Sequence, residues 1–107
     1  MIIYGLKNCD TCRRAMKELI GKGHAPRLVD VRAEPLSPAQ IDSFLKAFGP
    51  DLLNRRSTTW RGLSEDERAG DPAALLAAHP ALMKRPVIDA DGALYLGWDA
   101  SAKSALL

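Results

Sequence analysis

An α/β fold built on a mixed sheet is predicted for this chain, and three observations predict it. Short apolar runs alternate with helix-period patterns. The first run, Ile2 to Tyr4, leads almost directly into a Cys-Asp-Thr-Cys at Cys9 to Cys12, and near the other end Asp91-Gly92 separates two further apolar runs. The resulting order is a βαβ half, a helical insertion over about residues 37–83 and a ββα half, read as a single domain over residues 1–107.

Each element has its own signal. Ile2, Ile3 and Tyr4 form an unbroken apolar run, the pattern of a strand covered on both faces. Cys12, Ala15, Met16, Leu19 and Ile20 then recur at i, i+3, i+4, i+7 and i+8, one face of a helix that Gly21 or Gly23 can end. Leu28, Val29 and Val31 make a second strand, and a strand, helix and strand this close together imply a right-handed parallel unit. Ser37-Pro38-Ala39-Gln40 combines an N-cap, a proline at N1 and a capping-box glutamine at N3. Ile41, Phe44, Leu45 and Phe48 form the apolar face of the helix it starts, and Gly49-Pro50 stops it. Ser64 with Glu67, and Asp71 with Pro72, start two more helices, the latter running from Ala73 to Ala78. Val87-Ile88 and Leu94 to Leu96 flank Asp91-Gly92, a dipeptide suited to a type I′ hairpin turn, and Asp99 can cap a short last helix.

Composition narrows the function classes. The formal net charge is +2, and the basic residues are scattered apart from Arg13-Arg14, Arg55-Arg56 and Lys84-Arg85. Direct nucleic-acid binding, which needs a clustered basic face, is therefore not expected. The first residues show neither a basic n-region nor a long apolar h-region, and no run approaches the roughly 18 apolar residues of a membrane span. The expectation is a cytoplasmic protein without a membrane partner, in a compartment that keeps thiols reduced unless they are catalytic or sensing.

The two cysteines carry the chemistry. Cys9 and Cys12 fall at a strand-to-helix junction, where the free N–H groups and positive end of the macrodipole favour thiolate over thiol. Three blander explanations compete. A structural zinc site lacks ligands, because there is no second cysteine pair and His24 and His79 do not have the short spacings such sites show, so no metal is expected. A structural disulfide would close a very short loop and constrain the unfolded chain little. Burial as a small hydrophobe suits Cys12, which is in phase with the core face of its helix, but not Cys9.

Three blocks of residues carry a resemblance. Tyr-Gly-Leu-Lys-Asn-Cys-Asp-Thr-Cys-Arg-Arg-Ala (Tyr4 to Ala15), Leu-Leu-Asn-Arg-Arg-Ser-Thr-Thr-Trp-Arg-Gly-Leu (Leu52 to Leu63) and His-Pro-Ala-Leu-Met-Lys-Arg-Pro-Val (His79 to Val87) resemble the ArsC/Spx/YffB family, and the middle block is most similar to its YffB-type members. The resemblance implies a thioredoxin-like fold with Cys9 in the nucleophile position and Arg85 preceding a cis proline, Pro86, beside it. Arsenate reductases of this family use further arginines to hold the oxyanion. The matching positions here hold Asn54 and, in Leu96-Gly97-Trp98-Asp99, no arginine, although Arg55 and Arg56 adjoin the first. Two missing guanidiniums remove bidentate donors that an amide does not replace, which ranks a thiol reductase above an arsenate reductase proper. A third reading, from the Cys-x-x-Cys and Ala33-Glu34-Pro35-Leu36-Ser37, is an Spx-like redox-sensing regulator that binds the RNA polymerase α subunit.

The expected mechanism has Cys9 attacking as thiolate, its pKa lowered by the helix start and by Arg13 or Arg85, and Cys12 resolving the adduct as an intramolecular disulfide. Glutathione, or a glutaredoxin- or thioredoxin-type donor, then reopens it as co-substrate, with no bound cofactor. Asp10, Thr11 and Arg13 belong to the anion-receptive first turn, with Asp10 facing water; Arg55, Arg56 and Pro86 complete the substrate-binding set. Trp60 and Trp98 are expected in the core or at its rim, His24 in solvent and His79 at a helix end.

Overall fold

The sheet that carries the dithiol loop is set by four short strands, β1 (Ile2–Gly5), β2 (Arg27–Asp30), β3 (Val87–Ala90) and β4 (Ala93–Leu96), in the order β2-β1-β3-β4. They belong to a computed structural model that describes residues 1–107. β1 runs parallel to β2 and antiparallel to β3, and β3 pairs antiparallel with β4, so the sheet is mixed as the sequence predicts. The chain divides into two units, residues 1–31 with 85–107 and residues 32–84.

In the first unit, helices α1 (Asp10–Gly21) and α6 (Ala100–Leu106) pack with the sheet around Ile3, Ala15, Leu19, Ile88, Trp98 and Ala102. Ile3, Leu19 and Ile88 are fully buried, so truncating any of them to alanine is expected to cost about 2–5 kcal/mol. Trp98 lies inside this core, its indole N–H donating to the Glu18 carboxylate. α1 ends at the C-cap Lys22, and Gly23, in the left-handed region at φ 91°, carries the chain away. His24 is exposed, yet its Nε2 pairs with the Leu106 carbonyl at 2.8 Å and ties the end of α1 to the end of α6. The hairpin turns at Asp91 (φ 54°) and Gly92 (φ 95°), both left-handed as a type I′ turn requires. β2 is shifted from the predicted Leu28 to Val31: Val31 lies just past its end, where its N–H still donates to the Gly5 carbonyl at 2.9 Å.

The second unit is helical. α2 (Pro38–Phe48) starts with the predicted capping box, Gln40 N–H donating to Ser37 Oγ at 3.1 Å and Ser37 N–H to Gln40 Oε1 at 2.9 Å. A single turn, α3 (Thr58–Arg61), is capped by Ser57 and escapes the periodicity because it is shorter than one repeat of an apolar face. The Ser64–Glu67 box is present, but α4 (Glu65–Arg68) lasts one turn. α5 (Pro72–Ala78) has proline at N1, while Asp71 holds the N-cap position without a side-chain capping bond. Between these elements Leu53 and Met83 form an isolated antiparallel bridge.

Candidate active site

The first-unit site starts from the register of its central strands. Tyr4 pairs with Val87 across antiparallel β1 and β3, so the residues that follow β1 run beside those that precede β3. Leu6 to Cys9 and Arg85-Pro86 are thereby neighbours, and the Arg85-Pro86 peptide is cis. Cys9 is the N-cap of α1, with extended φ and ψ of −86° and 121°. Its N–H donates to the Leu6 carbonyl at 3.1 Å, and its own carbonyl accepts the Arg13 N–H at 3.0 Å. Cys9 is half-buried and Cys12, one turn on, is fully buried; both are free thiols.

Gly5, the last residue of β1, makes room for the second sulfur. A β-carbon at Gly5 would collide with the Cys12 Sγ, so a side chain there and a seated Cys12 thiol exclude one another. Sequence reasoning missed this residue. The signal was an isolated glycine between an apolar strand and a helix, a pattern of close backbone approach.

The two thiols are pushed apart in acidity. Burial raises Cys9, but the Cys12 N–H, the Cys12 thiol, a hydrogen bond from Arg85 and the charge of that guanidinium outweigh it and bring Cys9 below an ordinary cysteine. The uncharged thiol makes no capping hydrogen bond; these groups act on the thiolate. Cys12 is pushed up to about 11, chiefly by burial; the Leu6 backbone opposes this, the neighbouring Cys9 adds to it, and Arg85 opposes it least. One member of the pair is thus prepared to be an anion and the other to remain a proton donor to it.

The remaining predicted residues divide. Of the two candidate cations, Arg85 is the one that acts on Cys9. The Arg13 guanidinium is tied elsewhere, its Nε donating to the Lys7 carbonyl at 2.9 Å and its Nη1 standing 4.0 Å from Asp10. Asp10 faces water, as expected, and Thr11 is half-buried in the first turn. Pro86 is fully buried, and its carbonyl accepts the Gly97 N–H at 2.7 Å.

Arg55 and Arg56 belong to the second unit. There they line a cavity of about 530 Å³ with Asp51, Leu53, Asn54 and Lys84. Asn54 shapes the loop: its Oδ1 accepts the Arg56 N–H at 3.1 Å and its carbonyl accepts the Ser57 hydroxyl at 2.7 Å. The Arg55 and Arg68 guanidiniums both stand over the half-buried Trp60 ring, 5.6 and 5.7 Å from its centroid. No three His, Cys, Asp or Glu side chains gather where they could hold a metal ion, and no helix is long and apolar enough to cross a membrane.

A β2-β1-β3-β4 mixed sheet with an N-cap cysteine after β1 and an X-cis-Pro before β3 defines a thioredoxin-like protein. The model of the ArsC family matches residues 4–105, and the chain belongs to that family. It is 37% identical over 102 residues to an uncharacterized protein of Haemophilus influenzae, covering 91% of this chain and 90% of the relative. The solved structure of a YffB protein superposes with a TM-score of 0.89 at 31% identity, covering 99% of this chain and 97% of the other. An arsenate reductase (ArsC) related protein from Brucella melitensis gives a TM-score of 0.75 at 39% identity, with 97% and 91% covered. An arsenate reductase from Vibrio cholerae, at 20% identity and a TM-score of 0.77 with 99% and 96% covered, shares the fold.

Proposed function

We propose that this protein is a thiol-dependent reductase in which Cys9 is the nucleophile, Cys12 the resolving thiol and Arg85 the cation that stabilises the thiolate. The observation that carries this reading is the opposed acidity of two adjacent sulfurs, Cys9 below the ordinary value and Cys12 at about 11. Membership of the ArsC family and the likeness to the arsenate reductase related protein agree with it.

The chemistry follows from the geometry. The Cys9 thiolate attacks one sulfur of a substrate disulfide, forming a mixed disulfide and expelling the first thiolate. Cys12 then attacks Cys9 while its proton passes to the second leaving thiolate, so the substrate gains two electrons and the dithiol becomes a disulfide. Two molecules of glutathione, or one glutaredoxin- or thioredoxin-type dithiol, return those electrons. Cys12 must lose its proton only in the second step, when the Cys9 charge that opposed its ionisation has gone.

The test is turnover of a glutathione mixed disulfide by purified protein with glutathione, run beside arsenate as substrate and beside binding to the RNA polymerase α C-terminal domain. Disulfide turnover that Cys9→Ser abolishes is expected, with weak arsenate reduction. Brisk arsenate reduction would move the assignment to an arsenate reductase proper. Polymerase binding without turnover would make the chain a redox-sensing regulator.

A further inference from the structure

An acid interrupts the apolar run that forms β2. Leu28 is partly buried and Val29 and Val31 are buried, yet Asp30 stands among them, half-buried at the strand's end. A carboxylate there must recover in hydrogen bonds what it loses in hydration. Asp30 lies opposite Gly5 in the parallel β1–β2 register, and its Oδ2 accepts the Lys7 N–H at 3.1 Å, two residues beyond the end of β1. It thus reaches across to the loop that leads into Cys9.

That loop is a single turn, closed by the bond from the Cys9 N–H to the Leu6 carbonyl at 3.1 Å, with Lys7 and Asn8 at its centre. Both polar groups of the Lys7 backbone are held: the N–H by Asp30, and the carbonyl by Arg13 Nε at 2.9 Å. The two ties differ in what they join. Arg13 belongs to α1, whose N-cap is Cys9, so its bond holds the turn to the helix. Asp30 belongs to the sheet, as does the strand β3 that Arg85 precedes, so its bond holds the turn and the helix start to the framework that carries the guanidinium. The geometry points to Asp30 as a positioning residue: by fixing the Lys7 turn to the end of β2, it sets the Cys9 sulfur against Arg85. The role asks for an acceptor at this place, not for a charge. Its consequence for turnover rests on the reductase reading, whereas the placement of Cys9 does not.

Thiolate absorbance against pH, and iodoacetamide labelling with mass mapping, read the placement of Cys9 without any substrate. Asp30→Ala is expected to raise the Cys9 pKa and slow its labelling at neutral pH about threefold, less than loss of the guanidinium itself. Asp30→Val, a better strand former that also lacks an acceptor, should do the same. Asp30→Asn keeps an oxygen for the Lys7 N–H and should return the rate to near wild type. In an Arg85→Ala background, Asp30→Ala should add almost nothing, because the cation against which Asp30 sets Cys9 is gone. Cys12 should stay unlabelled until Cys9 is saturated in every variant, whereas a merely loosened fold would open it too. Equal slowing by Asp30→Ala and Asp30→Asn, additivity with Arg85→Ala, or early labelling of Cys12 would overturn the proposal. Cys9-dependent disulfide turnover with an unmoved Cys9 pKa in Asp30→Ala removes the positioning role and leaves the reductase. The expected titration and labelling pattern without turnover by the wild type does the reverse.

Discussion

The α-carbon of Gly5 lies against the Cys12 thiol so closely that a methyl group on it would overlap the sulfur. Cys12 therefore owes its seat to the residue that ends β1, and the seat gives it the burial that keeps it protonated. Gly5→Ala should overpack this spot and cost about 1–3 kcal/mol in urea unfolding. Adding Cys12→Ala should return most of that, because the new methyl then meets the residue-12 β-carbon and Leu28 Cδ1 at ordinary contact distances of 3.5 and 4.0 Å. If the double variant is no more stable than Gly5→Ala, the sulfur is not what the glycine accommodates.

The sequence made the sheet, the dithiol and most helix starts legible, for reasons visible in particular residues. Ser37 and Gln40 act within one turn, and Asp91-Gly92 within one hairpin, so local chemistry decides them and the pattern can be read. Gly5 was not legible, because its partner is a side chain seven residues away on another element. Arg13 and Arg85 posed the same difficulty. Both are arginines within reach of Cys9 on sequence grounds, and only the β1–β3 register shows that Arg85 acts on the sulfur while Arg13 bonds the Lys7 carbonyl.

Unequal thiols should be measurable directly. Because Cys9 is half-buried with a lowered pKa and Cys12 is fully buried with a raised one, iodoacetamide at pH 7 should label Cys9 first, and mass mapping should find Cys12 unmodified until Cys9 is saturated. Cys12→Ser should then trap a persistent mixed disulfide on Cys9. Equal labelling rates, or no trapped adduct, would remove the division of roles.

Alkaline pH should weaken the fold through Cys12. Its folded pKa, about 11, lies above the ordinary cysteine value of 9.0, so the unfolded chain loses this proton first as pH rises. The stability due to the protonated thiol is complete below about pH 9 and is lost as pH rises through 11. Urea midpoints between pH 8 and 11 should fall in wild type and fall less in Cys12→Ala. Parallel slopes would mean that Cys12 is not the titrating group.

Arg85 separates charge from shape. The guanidinium both hydrogen-bonds Cys9 and favours its thiolate by charge, so Arg85→Ala should raise the Cys9 pKa and slow its reaction with disulfides at neutral pH about tenfold. Arg85→Lys keeps the charge and should restore most of the pKa, but it loses the planar fork and should recover little of any arsenate reduction. Arg13→Ala should leave the Cys9 titration in place, since that guanidinium is held by Lys7 and Asp10. Following thiolate absorbance near 240 nm against pH reads all three variants on one scale. A Cys9 pKa raised by Arg13→Ala and untouched by Arg85→Ala would transfer the cation's role to the helix and undo the link between the β1–β3 register and the nucleophile.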